Sequence, residues 1–179
     1  LLVRGVAHSR RWAMASLVPT VQAVNIPVIT AGGYATGSQI LAAEVMGAQG
    51  VQIGTRWLAA NETEVPESFK DAVIKAKEYE TEITGQAAGH PVRQIKNFMT
   101  SEYNRLVKEN APREEVRKVY KGSLEKAVND GDVEHGSMMA GISVGLVTEK
   151  ESIQEIMDKL VAEYKEAREK LVNGEAFID

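Results

Sequence analysis

Residues 26–55 constrain the fold more than any other part of the chain. An apolar run over 27–31 has the length of a fully buried strand and stops at Gly32-Gly33. Thr36 then opens a helix. Gln39 stands three residues on, as a capping box requires, and Ile40, Leu41 and Val45 form the apolar stripe. Gly47 stands where a left-handed C-terminal cap is wanted. A second short strand, Val51-Gln52-Ile53, is closed by Gly54-Thr55. Strand, helix and strand within this span make a βαβ unit, so the two strands are expected to run parallel.

Both strands finish in residues without bulk, at the C-terminal edge where α/β sheets and barrels hold their ligands. Gly32 and Gly33 let an anion approach the backbone, and the amides at the start of the helix over 37–46 are expected to face it. Thr55 adds a hydroxyl. Two such loops side by side resemble the phosphate site made after the last two strands of a (β/α)8 barrel. The expected fold class is therefore α/β.

Composition narrows the functional classes. A net charge of −4 leaves no basic footprint for nucleic acid. No apolar run approaches the roughly 20 residues of a membrane span. Without cysteine, disulfides, thiolate metal sites and cysteine nucleophiles are excluded, and a cytoplasmic protein is expected. The three histidines are scattered, with no i, i+4 pair, so no metal site is expected. Two strands cannot close a sheet, which points to the C-terminal portion of something longer. Apolar surface left bare would then favour association, including a possible homodimer.

Elsewhere, residues 1–7 read as the end of a strand, and 15–24, 66–78, 100–108, 112–120 and 123–128 as helices. Residues 81–97 mix glycine, proline and threonine and read as an irregular packed segment. Asn129 to Asp132 signals a turn. The small, apolar stretch over 136–146 suits close approach to a planar ligand or a neighbouring helix. Thr148 and Glu151 form a capping-box pattern opening a last helix with Ile153, Ile156, Met157, Leu160 and Val161 on one face.

Four motifs carry a family resemblance: Ile-Pro-Val-Ile-Thr-Ala-Gly-Gly from Ile26, Gly-Val-Gln-Ile-Gly-Thr-Arg from Gly50, Gly-His-Pro-Val-Arg-Gln-Ile-Lys-Asn from Gly89, and Gly-Asp-Val-Glu-His-Gly-Ser-Met-Met-Ala-Gly from Gly131. In this order and spacing the chain resembles the FMN-dependent group of nitronate monooxygenases and flavin-type enoyl-acyl carrier protein reductases. The last two motifs resemble the reductase branch more closely. The resemblance implies the last two strands of a TIM barrel over 1–60 and a mostly helical extension over 61–179.

The resemblance also implies FMN as cofactor and NAD(P)H as electron donor. The phosphate is expected at Gly32 and Gly33 and at Gln52, Ile53, Gly54 and Thr55. The implied substrate is a 2-enoyl thioester on acyl carrier protein, or else a small molecule such as an alkyl nitronate oxidised with O₂. His8 falls in register with the family's catalytic histidine, although Val6-Ala7-His8-Ser9-Arg10 replaces both flanking glycine positions. His90 is expected to be a buried structural histidine and His135 a solvated one. Met138 and Met139 are expected in the core. A chain that only binds FMN or a sugar phosphate, or an inactive remnant, is the reading from a different class.

Overall fold

The computed structural model describes residues 2–4, 13–86 and 89–174. Three strands, β1 (Leu2–Arg4), β2 (Ile29–Ala31) and β3 (Gly50–Gln52), form a parallel sheet with β2 in the middle. The described sheet thus has one strand more than the βαβ unit supplies, and the addition is the N-terminal segment read as a strand end. Ala31 pairs with Arg4 on one side and Gln52 on the other, so the chain leaves β2 and β3 at the same edge.

Between these strands lie α1 (Ala13–Ala23) and α2 (Gly37–Val45). Leu17, Val28, Tyr34, Ala43 and Ala48 make their common core, with Val51 and Ile53 against it. The expected capping box forms: the Thr36 hydroxyl accepts from Gln39 N, and the Gln39 side chain accepts from Thr36 N. Gly47 takes the left-handed conformation, φ 93°.

A 3-10 turn, Thr55–Ala59, follows β3 and leads to α3 (Glu67–Lys75). Residues 81–97 are not irregular. They build an antiparallel hairpin of β4 (Thr81–Thr84) and β5 (Val92–Ile95). Apolar alternation is hidden there because the buried side chains are partly polar. Gln94 donates to the Thr84 hydroxyl, and Ser137 donates to Gln94 Oε1 at 2.6 Å. Met139 bridges Gln94 from the other side, and Ala140 N donates to Arg93 O. Helices α4 (Phe98–Lys108) and α5 (Arg113–Tyr120), with the short α6 (Ser123–Glu125) and its π-helical continuation Lys126–Asp130, surround the hairpin. Phe69, Val73, Ile95, Met138 and Val144 form the core of this half.

The last helix, α7 (Ile153–Val172), is capped by Ser152 with Glu155, not by Thr148 with Glu151. Two overlapping cap signals compete, and Glu151 is committed elsewhere: it is buried in an ion pair with Arg56. Ile156 and Leu160 pack on Ala60, with Ile40 and Trp57 alongside. Helix α7 crosses α2 so closely that a Cβ on Gly37 would collide with the Leu160 carbonyl oxygen and the Tyr164 nitrogen.

Candidate cofactor site

The ends of β2 and β3 open on one cavity of about 300 Å³. Its walls are Ala31 to Tyr34 after β2, Gln52 to Thr55 after β3, and Gly141 with Ser143 from the far half of the chain. Every residue expected at the phosphate, from Gly32 and Gly33 to Gln52, Ile53, Gly54 and Thr55, lines this cavity. The parallel register is the reason, since it puts the two exits side by side.

The two glycines differ in kind. Gly33 has φ 87°, which side chains rarely adopt, so the turn itself calls for glycine. Gly54 has φ −117° and ψ −67°, a right-handed conformation open to other residues. A Cβ on Gly54 would meet nothing within 4 Å, and the same holds at Gly33. Among the described residues nothing excludes a methyl group at Gly54, which lines the cavity.

Thr55 is pre-set by its partner. Gly141 N donates to Thr55 Oγ1 at 2.9 Å, leaving the hydroxyl proton free to donate toward the cavity. The amides at the start of α2, in contrast, do not face the cavity as free donors. Ala35 N and Thr36 N donate to Gln39 Oε1, Gln39 N donates to Thr36 Oγ1, and Gly37 N donates to Glu163 Oε2 at 2.7 Å. Glu163 of α7 holds the place at this helix end that an anion would take. The cradle therefore narrows to the loop backbone at Gly32–Gly33 and Gly54–Thr55.

Behind the cradle, Arg56 donates to Glu151, whose other oxygen meets Lys159. Burial opposes ionisation of Glu151, but the bonds from Lys159 and Arg56 outweigh it and hold the carboxyl below its ordinary 4.5. This pair ties the 3-10 turn that begins at Thr55 to the start of α7.

His8 lies outside the described residues. His90 is exposed at the closed end of the hairpin, where its N–H donates to Gly85 O, and is not a buried structural group. His135 is exposed, beside the Asp132 carboxylate and edge-on to Phe98. Met138 is buried in the core whereas Met139 is partly exposed. Sequence reasoning did not single out Tyr34, Gly141 or Ser143. The run of small residues over 136–146 was the signal for the last two, and Gly141 also closes the motif that starts at Gly131.

A parallel α/β sheet whose neighbouring strand ends share one glycine-lined cavity has that cavity at the carboxyl edge, where α/β folds place their ligands. The family model described as nitronate monooxygenase matches residues 4–163, and the chain belongs to that family. It is 36% identical over 152 residues to a probable nitronate monooxygenase of Staphylococcus haemolyticus, covering 84% of this chain and 42% of that one. Among solved structures, FabK from Thermotoga maritima superposes with a TM-score of 0.90 at 34% identity, over 96% of this chain and 56% of FabK. A nitroalkane oxidase from Streptomyces ansochromogenes gives 0.73 at 28%, over 89% of this chain and 45% of the other. The chain spans about half the length of the relatives it matches.

Proposed function

We propose that the chain is the FMN-holding part of a flavin-dependent oxidoreductase that reduces 2-enoyl thioesters, carried on acyl carrier protein, with NAD(P)H as donor. In this reading residues 1–60 supply closing strands of an eight-stranded barrel, and residues 61–179 form its helical extension. The observation that carries the reading is the cradle at Gly33 and Gly54. It is open where a Cβ would stand, it opens at the C-terminal edge of the sheet, and nothing among the described residues demands the second glycine.

FMN, when bound, supplies the redox chemistry. The protein's own groups bind and orient. Loop amides at Gly32–Gly33 and Gly54–Thr55 would meet the phosphate, and the Thr55 hydroxyl, held from behind by Gly141, would donate to it. The likeness to FabK, a flavin-type enoyl-acyl carrier protein reductase, and the motifs at Gly89 and Gly131 support the reductase reading. The names of the curated relatives favour a second reading, oxidation of alkyl nitronates with O₂.

The test has two stages. Flavin absorbance on the purified chain, and quenching of FMN fluorescence on titration, read the cradle; a colourless protein that leaves FMN fluorescence unchanged overturns the cofactor. Where flavin binds, NADH consumption with crotonyl thioester supports the reductase, whereas oxygen uptake with a nitronate and no NADH consumption supports the second reading.

A further inference from the structure

Several exposed cations of the surface pair with carboxylates. Arg105 is held by Glu102 and Glu109, Lys150 by Glu67 and Asp71, and Lys170 by Glu166. Helix α5 differs. Arg113 and Arg117 are exposed and neither forms an ion pair among the described residues, although Glu114 stands three residues before Arg117. Lys118 and Lys121, also exposed and unpaired there, add to the same end of the helix. Like charges four apart on a helix repel one another, so an anionic group laid beside Arg113 and Arg117 relieves them both.

The two arginines border a groove of about 530 Å³. Arg113, Val116, Arg117 and Tyr120 line it from one stripe of α5, at i, i+3, i+4 and i+7, and Val107 and Asn110 line it from the end of α4 and the turn that follows. Val107 and Tyr120 are each 36% exposed, so the groove offers water an apolar surface beside its cations. Glu114 is the one carboxylate in the lining.

That mixture selects among partners. The chain as a whole carries a net charge of −4, which works against an extended polyanion such as nucleic acid or an anionic bilayer. A compact partner that brings carboxylates and apolar side chains together fits the groove instead. An amphipathic helix does so, because its anchors repeat at the spacing of the α5 stripe. Tyr120 also lines a cavity beneath the hairpin and stands edge-on to Tyr103 at 6.2 Å, so a partner on the groove is seated beside that cavity.

We propose that the α4–α5 groove is the docking surface for the protein that carries the thioester. An acidic helix of the carrier lies with apolar side chains on Val107 and Tyr120 and carboxylates on Arg113 and Arg117. The inference deepens the thioester reading and rests on it for the identity of the partner.

The test reads binding first. A bacterial acyl carrier protein bearing phosphopantetheine but no acyl group, labelled with fluorescein at its N-terminus, is titrated with the purified chain and followed by anisotropy. Raising NaCl from about 50 to about 300 mM should weaken binding roughly threefold. Arg113→Glu combined with Arg117→Glu should weaken it about tenfold, and Val107→Asp, independently, roughly fivefold. Lys165→Glu combined with Arg168→Glu makes the same change of charge at exposed positions of α7 and should leave binding unchanged.

Binding that the two charge reversals weaken alike overturns the proposal, since net charge alone then carries it. So does binding that the α5 and Val107 variants leave intact, with folding checked by circular dichroism, and so does a carrier that fails to bind. NADH consumption with crotonyl-coenzyme A, which needs no carrier, is read separately. Reduction without carrier binding removes only the docking surface; carrier binding without reduction removes only the reductase reading.

Discussion

Gly54→Ala separates a ligand's demand for glycine from the chain's own. At a negative φ of −117°, with no atom of the described residues within 4 Å of the added Cβ, alanine fits without a clash. Losing glycine's freedom in the unfolded chain should add about 0.4–1 kcal/mol of stability. For a chain of 179 residues that raises Tm by roughly 1–4 °C. The same methyl stands on the cavity floor and keeps an anion from the Gly54–Thr55 backbone. Losing one hydrogen bond to a charged group costs about 1.5–3 kcal/mol, so FMN should bind roughly ten to a hundred times more weakly. Gly33→Ala is the contrast: its φ of 87° adds about 1–2 kcal/mol of strain, so Tm should fall by roughly 2–8 °C as binding weakens. Differential scanning fluorimetry without ligand and flavin-fluorescence titration measure the two quantities. A Gly54→Ala protein that melts several degrees lower, or binds FMN as tightly as the parent, refutes the argument that this glycine serves a ligand.

Glu151→Gln should destabilise by roughly 3 kcal/mol in urea at neutral pH, because Arg56 is left charged and buried. The folded-state pKa of Glu151 is depressed, so its contribution is complete above about 4.5 and fades as pH falls through the folded value; the variant's acid-unfolding profile should be flatter there. Tyr103 is buried and its hydroxyl has no partner among the described residues, so Tyr103→Phe should be neutral or stabilise by up to about 1–3 kcal/mol in urea unfolding, and a loss of stability would argue for a partner beyond them. Gly37→Ala should cost about 1–3 kcal/mol and lower Tm, since the methyl would have to push α7 off α2.

The parallel unit and its cradle were legible because their signals are local. Glycines at strand ends, a Thr36–Gln39 box and Gly47 lie within a few residues of what they determine. The donors at the start of α2 were misread: the Thr36–Gln39 box itself takes those of Ala35, Thr36 and Gln39, and the partner of Gly37 N, Glu163, is 126 residues away with nothing near Gly37 to announce it. The hairpin was hidden because Thr84, Gln94 and Ser137 satisfy one another in the interior, where alternation of apolar residues is the usual sign. The cap of α7 was placed four residues early because Thr148 and Ser152 each carry a glutamate three positions on; only the fold shows Glu151 spent on Arg56. Gly141 reached the cradle by a hydrogen bond spanning 86 positions, which no local pattern encodes.

The small sheet has two unlike borders. Among the described residues the outer sides of β1 and β3 carry no ladder partner. Two copies related by a two-fold axis would have to set β3 against β3, or β1 against β1, with strands opposed. Adding β1 of one copy to β3 of the next instead keeps all strands running the same way and leaves a fresh β3 exposed, so the step repeats. Wherever these borders stand bare, self-association by that route is head-to-tail and open-ended, a growing stack and not a closed pair.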